Sequence, residues 1–479
     1  MVKKFDVQLN YPFLYKWERE EAMSVITNSA SGMLFKYFAF ISNEAGAVNL
    51  LEHADWNFAI VVNDDNFFFA AVDRVRSFPL LYKIESGTLL LTDNISEVEN
   101  EFVFDEKSVQ KFQENFCTEG NETLLQNWKQ LSAGQYLFVN KETGEISVEN
   151  YFRFIKRLPQ HSIDNAILKN IFLNVFQSML SQIGDRPIIV PLSAGYDSRC
   201  IVAILKELNA RNVFCYTYGR AGSFEKETAE KVAGLLQLNW VFIEYTDELL
   251  DLFFTDEWER FSAKGHFFSS LPNEQDFFAL HWLQKNNLLP KDGVVLSGYL
   301  GGALAGNRNI FEAVPHNDAD QEEYNFSNRG SKFIVNAIHL YEYFGLQWFM
   351  PFVAKPLIDY SLHVPVQERF YKNEYHNFLS DAFFKPLNID FRKSNHNYKR
   401  HTITNFLKNF LPRKLVNFIR SKNAKRPFND PNNTAYLKKR MMDSPMFEKQ
   451  KNLGIDFNTA HTKYFIKKLR NQLNSGGHI

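Results

Sequence analysis

The spacing of apolar residues divides the chain into a strand-like part and a helix-rich part. Over residues 56–92 short apolar runs alternate with turn signals in NDD and ESG, a pattern typical of successive strands. Residues 134–152 add a predicted hairpin with KETG as its turn. The first part of the chain is therefore expected to be rich in sheet and to hold few long helices.

Apolar residues at helical spacing begin after this part. Residues 163–184 predict one long amphipathic helix, with Ser162 as its N-cap. Strands then alternate with helices through PIIVPL, SRCIVAILKELNA, NVFCYTYG, FEKETAEKVAGLLQL and WVFIEYT. After a helical stretch over residues 274–287, GVVLSG predicts a further buried strand. Short apolar runs that alternate with helices indicate βαβ units and a parallel sheet.

Residues 188–205, IIVPLSAGYDSRCIVAIL, run from a predicted strand through a turn of small residues into a helix predicted to begin near Ser198. In an open parallel sheet, ligands bind where the carboxyl ends of the strands meet the helices. Gly195 allows a ligand to approach the backbone closely, and Ser193 and Ser198 supply hydroxyls. The helix start adds free N–H groups and the positive end of its dipole. The turn therefore predicts an anion site, most naturally for phosphate.

Asp197 lies in the same turn, where a carboxylate would repel phosphate unless a cation lies between them. Its presence predicts Mg²⁺. The alternative is an ordinary polar cap at a strand-to-helix turn, which is common. The segment lacks the GxxxxGK pattern followed by Ser or Thr, so a P-loop NTPase is disfavoured.

Several segments, taken in order, resemble the asparagine synthetase family. LSAGYDS resembles its SGGxDS pyrophosphate loop with Ala194 at the first glycine, and VVLSGYLGGALAGN resembles its SGxGxDExFxGY segment. DRVRSFPLLY resembles DRxGxxPLYY, and GLQWFMPFVAKPLIDYSLHVPVQERF resembles the later helical region. The likeness covers roughly residues 50–380.

The resemblance implies a fold that combines α/β and α+β parts. A degenerate glutaminase-like αββα sandwich is expected over residues 1–152, and a doubly wound parallel-sheet domain of the adenine nucleotide hydrolase type over 153–390. A basic helical extension over 391–479 is expected to pack on or near the second domain.

The resemblance also implies an ATP site that requires Mg²⁺, with Asp197 as the metal ligand and a catalytic residue. In such enzymes a substrate carboxylate attacks the α-phosphate to give an acyl-adenylate, and an amine then displaces AMP to form an amide. The residues expected to contact ATP lie on the first loop, on the second strand and on the SGY segment: Leu192, Ser193, Gly195, Asp197, Ser198, Tyr218, Ser297 and Gly298.

The sequence departs from the family pattern at the glutaminase cysteine and at the second metal aspartate. The family's glutaminase needs a cysteine at position 2, where this chain has Val2, and the first cysteine is Cys117. The N-terminal domain is therefore expected to be a scaffold or a docking surface for the amine donor. The second metal aspartate of the family corresponds to Gly302, and no acid follows before Glu312. A magnesium ion can still be held by one carboxylate, waters and ligand oxygens.

The family's catalytic lysine is the third departure. Lys372 and His376 lie nearest that position, where a cation would stabilise charge at the α-phosphate or the tetrahedral centre. The alternative for each is simple solvent exposure. Arg199 could add positive charge near the phosphates, or pair with an acid such as Glu225.

Composition sets the compartment and the partners. Three scattered cysteines without a CxxC pair argue against a disulfide framework or zinc site, and for a reducing compartment. With neither a signal peptide nor a run of about 18 apolar residues, a cytoplasmic location is expected. No zinc-knuckle spacing or basic groove of stacking aromatics occurs, so nucleic acid is not expected as a partner.

The basic residues concentrate in the extension. Residues 391–479 carry 20 Lys and Arg against 4 Asp and Glu, although the whole chain has a net charge of −1. Residues 405–422 could form a basic amphipathic helix that contacts a membrane surface, with Pro412 as a kink, or could pack on the body. Peripheral membrane contact and a homodimer are both left open.

The expected activity is ATP-dependent amide-bond formation without glutaminase activity. The substrate would be a small-molecule or glycan carboxylate such as a sugar acid, because GYDSR and YTYGR resemble relatives of surface-polysaccharide biosynthesis. The amine would come from ammonia or another donor. Two alternatives remain: a ligase that closes β-lactams or macrocycles, and a catalytically degenerate nucleotide-binding or scaffold protein.

Overall fold

The computed structural model describes most of the chain in fifteen strands that form three sheets. The expected combination of α/β and α+β parts is confirmed, with two mainly antiparallel sheets followed by a parallel one. The described residues are 1–29, 36, 41, 43–55, 57–97, 102–253, 255–271, 274–304, 322–365, 368–369, 373–391, 442–443, 447–448, 452 and 457–474.

The first ten strands form a sandwich of two sheets, with strand orders β1-β7-β6-β8 and β10-β9-β5-β4-β3-β2. Phe5 on β1 stacks on Phe68 on β5 with ring centroids 5.0 Å apart, which joins the sheets. Every residue of β5 is buried because both of its faces are covered, and its sequence FFFAAV accordingly shows no alternation. The strands are β1 (Lys4–Gln8), β2 (Glu18–Glu20), β3 (Met23–Thr27), β4 (Phe58–Asn63), β5 (Phe67–Val72), β6 (Leu81–Glu85), β7 (Thr88–Thr92), β8 (Lys129–Gln130), β9 (Gln135–Asn140) and β10 (Ile146–Asn150).

The third sheet is fully parallel, with strand order β13-β12-β11-β14-β15. The chain runs outward from the central strand β11 to one edge and then returns to the other side through β14. This reversal creates a crevice at the carboxyl ends of β11 and β14, where ligands of such sheets bind. The strands are β11 (Ile188–Pro191), β12 (Val213–Gly219), β13 (Asn239–Glu244), β14 (Val294–Leu296) and β15 (Gln347–Phe349).

Helices surround the parallel sheet and accompany the sandwich. In α4 the eight consecutive residues 198–205 are buried, because the helix is covered on all sides. Residues Asn325–Ile334 and Ser380–Phe384 are π-helical, and Ile95–Glu97, Val335–Ile338, Pro351–Val353 and Lys385–Leu387 are short 3₁₀ turns. The helices are α1 (Glu44–His53), α2 (Glu106–Asn115), α3 (Asn165–Ile183), α4 (Tyr196–Glu207), α5 (Phe224–Leu236), α6 (Asp247–Leu250), α7 (Asp256–Lys264), α8 (Phe277–Lys285), α9 (Gly301–Leu304), α10 (His339–Tyr343), α11 (Lys355–His363), α12 (Asn373–Leu379) and α13 (Phe457–Asn474).

The start of α3 differs from the sequence prediction. Asp164, not Ser162, is the N-cap, and its Oδ1 accepts hydrogen bonds from the N–H groups of Ala166 and Ile167 at 2.9 Å. A carboxylate at this position satisfies two free donors and also interacts favourably with the helix dipole. The Ser162 hydroxyl instead donates to Glu368 at 2.9 Å.

The sandwich is joined to the rest of the chain through the DRVRSFP segment. Arg76 has a positive φ of 59° at the position where the family pattern has glycine. Its buried guanidinium donates to Asn336 Oδ1 at 3.1 Å and to Ser269 Oγ at 3.2 Å. Asp73 accepts the N–H of Val75 in the same turn at 2.8 Å and the N–H of Phe58 on β4 at 2.9 Å, and burial raises the pKa of Asp73 to about 6.

Helix α13 is the main described part of the extension predicted over residues 391–479. Phe465 packs among apolar residues of α2, and Arg470 pairs with Glu106, which is also on α2. Lys468 pairs with Glu259 on α7 at 3.1 Å. The helix therefore contacts the sandwich as well as the helices beside the parallel sheet. The amphipathic helix predicted over 405–422 lies outside the described residues, and the domain boundaries stay predictions.

The cysteines carry no cross-link in the structure. Cys117, Cys200 and Cys215 are all buried free thiols. Within the described ranges no three His, Cys, Asp or Glu side chains converge to hold a metal ion. Over the same ranges no helix combines the length and the apolar character needed to cross a bilayer.

Candidate functional site

A cleft of about 330 Å³ lies at the carboxyl ends of β11, β12 and β14. It occupies the place where the chain reverses direction across the sheet, as expected for a ligand site. The structure brings the predicted ATP contacts together, and whether they bind a nucleotide stays a prediction. These residues all line the cleft: Leu192, Ser193, Gly195, Asp197, Ser198, Tyr218, Ser297 and Gly298.

The loop between β11 and α4 forms one wall of the cleft. Helix α4 begins at Tyr196, two residues before the predicted start, so Asp197 and Ser198 both lie in its first turn. Its N-cap is Gly195, which has no side-chain oxygen to bond the first N–H groups. The positive end of this twelve-residue helix therefore faces the loop without a side-chain cap from the described residues.

Hydrogen bonds within the loop fix its shape before any ligand arrives. The Ser193 N–H donates to Ser198 Oγ, and the Gly195 N–H donates to Ser193 Oγ, both at 3.0 Å. The Ala194 N–H donates to Glu225 Oε2 at 2.7 Å, from the first turn of α5. Three loop N–H groups are therefore engaged by the chain's own side chains. The sequence offered Glu225 only as one alternative, a partner for Arg199, and not as a residue that contacts the loop.

Asp197 packs against the backbone at the start of α9. A methyl group on Gly301 would lie 2.4 Å from Asp197 Cγ and 2.6 Å from its Oδ1, so any larger residue there would displace the Asp197 carboxylate. Leu300 beside it has a positive φ of 62°, at a position where the family pattern has glycine. The aspartate of that pattern, which is the family's second metal ligand, corresponds to Gly302. Asp197 is thus the cleft acid that corresponds to the family pattern.

A buried carboxylate that sequence reasoning missed lies in the same cleft. Asp276 Oδ2 accepts hydrogen bonds from the hydroxyls of Tyr216 at 3.2 Å and Tyr341 at 3.0 Å. Burial raises the pKa of Asp276, and hydrogen bonds from tyrosine hydroxyls, including that of Tyr218, oppose the rise. Tyr216 and Tyr218 lie on one face of β12, which the YTY spacing indicates. Their acidic partner is 60 residues away in sequence, so no local pattern reveals it.

The charge of the cleft is negative. Its lining includes Asp197, Glu225 and Asp276, and among the described residues it includes no Lys, Arg or His. A phosphate-bearing ligand would meet helix N–H groups and hydroxyls, but no positive side chain from this part of the chain. A cation bound together with an anionic ligand would offset this negative charge.

The structure places His376 near the loop but not on the cleft wall. Its ring stacks on the ring of Tyr196, the first residue of α4, with centroids 3.9 Å apart and planes 7° apart. Helix α12 supplies this position, and the side chain is half-buried. Lys372, the other cationic candidate, lies outside the described residues. Catalytic roles for both stay predictions.

Arg199 hydrogen-bonds backbone carbonyl groups and acts on Glu225 through space, and its effect on bound phosphates stays a prediction. The buried guanidinium donates to the carbonyl oxygens of Ile389 and Phe391 at 3.0 Å, and to that of Gly195 at 3.2 Å. Burial lowers the pKa of Arg199 from its usual value. The side chain thus ties the segment after α12 to the loop between β11 and α4.

The position of the family's glutaminase nucleophile is filled by an apolar side chain. Val2 is 2% exposed, and its backbone N–H donates to the Gly144 carbonyl at 2.9 Å. Gly144 has a positive φ of 71°, and an added methyl group would lie 2.7 Å from the Val2 carbonyl oxygen. The KETG turn therefore fixes the start of the chain in the sandwich.

No model of a known protein family matches this sequence, and no curated protein sequence matches it. Among solved structures it is similar to the NH3-dependent NAD synthetase from Campylobacter jejuni, at 16% identity over 61% of this chain and 96% of that chain, with a TM-score of 0.23. It is similar to the NMN synthetase from Francisella tularensis at 10% identity, 48% and 98% coverage, and a TM-score of 0.23. It is similar to the U34-tRNA thiolase from Methanococcus maripaludis at 12% identity over 50% of this chain and 88% of that chain, with a TM-score of 0.21. Since such TM-scores carry no argument, the α/β fold of this chain is established by its own strand order.

Proposed function

We propose that this chain binds Mg·ATP in the cleft and uses it to join a carboxylate to an amine. The carboxylate oxygen attacks the α-phosphorus, the bond between the α- and β-phosphates breaks, and pyrophosphate leaves. The amine nitrogen then attacks the acyl carbon, AMP leaves, and the nitrogen loses a proton. The products are an amide, AMP and pyrophosphate.

One observation carries this proposal. A glycine-capped helix start with an acid in its first turn lies at the reversal point of a parallel sheet, on the wall of an open cleft. Free helix N–H groups stabilise phosphate oxygens there. Asp197 is the residue that would hold Mg²⁺, which when bound neutralises phosphate charge. The ordered likeness to the asparagine synthetase family points to the same chemistry.

The amine is proposed to reach the cleft without help from a glutaminase. Val2 offers no nucleophile, and its side chain is buried, so ammonia or another amine has to serve. A sugar acid or glycan precursor is the proposed carboxylate, and closure of a β-lactam or macrocycle is the variant with an internal amine. A cytoplasmic location and a homodimer remain proposals as well.

A nucleotide-binding scaffold is the second candidate. The negative lining of the cleft favours it, since no described cation is present to stabilise charge in the transition state. Such a protein would bind Mg·ATP and release no pyrophosphate. The two candidates therefore differ in turnover and not in binding.

The deciding experiment incubates the protein with Mg·ATP and a panel of carboxylates, and measures AMP and pyrophosphate. The wild type should form both with at least one acid, and Asp197→Ala should reduce the rate at least about a hundredfold, or about 2.7 kcal/mol. Asp185→Ala is the matched control, because Asp185 is exposed and lies outside the cleft. Unchanged AMP formation in Asp197→Ala would reject the site, and ATP binding without AMP would favour the scaffold.

A further inference from the structure

We infer that Glu225 is a built-in competitor at the phosphate loop, which makes the cleft select a metal-bound triphosphate over the free nucleotide. This inference rests on the proposed function. It starts from one contact: Glu225 Oε2 accepts the Ala194 N–H at 2.7 Å, from a different helix and across the cleft wall. Ala194 stands at the first glycine position of the SGGxDS pattern, between Ser193 and Ser198.

A carboxylate oxygen and a phosphate oxygen are the same kind of acceptor for a backbone N–H. Both are anionic, and each forms a short charge-assisted hydrogen bond. At 2.7 Å the bond to Glu225 lies in that range. A phosphate that uses the Ala194 N–H therefore has to displace the carboxylate, or has to share the site with a cation that neutralises it.

Helix capping does not account for this contact. Ser223 is the N-cap of α5, and its hydroxyl already accepts the Lys226 N–H at 3.3 Å. A carboxylate in the first turn would also satisfy the helix dipole if it pointed to solvent. Glu227, in the same turn, does so and is exposed. Glu225 instead turns toward the loop between β11 and α4.

No cation among the described lining residues offsets the second negative charge, and Arg199, whose charge acts on Glu225 through space, lies outside that lining. Asp197 and Glu225 both line the cleft, and among its described lining residues there is no Lys, Arg or His. Like charges on the walls of one cleft repel more strongly where water is partly excluded. A free triphosphate adds more negative charge to this wall, whereas a divalent cation between the groups reverses the sign of the interaction. Glu225 therefore penalises the metal-free ligand most.

The test measures ATP binding by calorimetry, once in excess Mg²⁺ and once in EDTA, for the wild type, Glu225→Gln and Glu227→Gln. Glutamine keeps an oxygen for the Ala194 N–H and removes the charge. Glu225→Gln should bind metal-free ATP about tenfold more tightly than the wild type, a change of about 1.4 kcal/mol. Its affinity for Mg·ATP should change much less. Glu227→Gln loses the same charge from the same helix turn and should behave as the wild type.

The outcomes separate this inference from the proposed function. Weaker binding by Glu225→Gln in both conditions would mean that the carboxylate only holds the loop in shape, and the inference would be wrong. An unchanged dependence of ATP affinity on Mg²⁺ would also overturn the inference, while leaving the nucleotide site intact. If the wild type and both variants bind no Mg·ATP, the proposed function fails and takes the inference with it. Thermal unfolding checks each variant's fold. If Glu225→Gln is unfolded, Glu225→Asp withdraws the carboxylate by one methylene and should give a smaller gain of the same sign, so no gain would overturn the inference.

Discussion

The loop before α4 and the N terminus of β1 are the two places where the family likeness expects chemistry, and the structure treats them in opposite ways. The loop lies on an open cleft, with hydroxyls, carboxylates and a helix start around it. The N terminus is closed, because Val2 is buried and the KETG turn packs directly on its backbone. The likeness over residues 50–380 includes the loop and the KETG turn that packs on Val2, so segment likeness alone does not distinguish a site from its remnant.

The difference lies in what glycine does in each region. Gly301 leaves room for the Asp197 carboxylate, whereas Gly144 leaves room for the Val2 carbonyl. The first glycine therefore serves a polar group in the cleft, and the second serves the packing of a strand. A methyl group added at either position meets atoms closer than any contact that folded proteins tolerate without movement. Paired substitutions can therefore test the contrast directly.

The largest effect on binding is expected from Gly301→Ala. The new methyl group would lie 2.4 Å from Asp197 Cγ, so the carboxylate has to leave its place beside the helix start. Affinity for Mg·ATP should fall at least about tenfold, or about 1.4 kcal/mol. Gly234→Ala is the control, since a methyl group there meets nothing within 4 Å and alanine favours helix α5. Wild-type affinity in Gly301→Ala would place the nucleotide elsewhere.

Gly144→Ala should produce the opposite pattern. Its positive φ of 71° and the contact with the Val2 carbonyl both oppose a side chain. The free energy of unfolding should drop by about 1–3 kcal/mol in denaturant titrations. Affinity for Mg·ATP should stay at the wild-type value, measured at a temperature where the variant is folded. A loss of affinity without a loss of stability would show that the two regions are coupled.

How far the sequence predicts this structure depends on sequence distance. The hairpin of β9 and β10 and the βαβ order of the second part follow from local apolar spacing and turn residues, and the structure has them. The strand-turn-helix around Ser193 was predicted, but the predicted helix start is two residues late. Gly195 has no polar side chain that would identify it in the sequence as the N-cap.

Contacts between distant segments could not be predicted from the pattern. Glu225 reaches the loop from 31 residues away, and Asp276 meets Tyr341 from 65 residues away. Each looks in the sequence like an ordinary acid near a helix start. Only the order of strands in the sheet, which turns the carboxyl ends of β11, β12 and β14 to one edge, brings them together.

A smaller effect, measured as stability, is expected from Asp276→Asn. Burial raises the pKa of Asp276, so the folded state binds its proton more tightly than the unfolded state does. That contribution to stability is fully present below the unfolded pKa of about 3.9 and is lost as pH rises through the folded pKa. Asparagine does not titrate, so the variant should lose less stability than the wild type as pH is raised from about 4. Denaturant titrations at several pH values measure this. If the free energy of unfolding depends on pH in the same way for both proteins, the raised pKa of Asp276 would be contradicted.

The smallest effect is expected from Val2→Cys, which restores the family's residue to the closed region. The thiol would be as buried as Val2, which is 2% exposed. At Cys117, in the same part of the chain, burial raises the pKa of the thiol to about 11, and a thiol held protonated at neutral pH is a poor nucleophile. Incubation of glutamine with the variant should therefore yield no more glutamate than incubation with the wild type. The free energy of unfolding should change by only about 1 kcal/mol. Glutamate release above the wild-type level would mean that the N terminus opens to substrate. The two regions would then differ in one side chain, at position 2, and not in whether the surrounding structure admits a ligand.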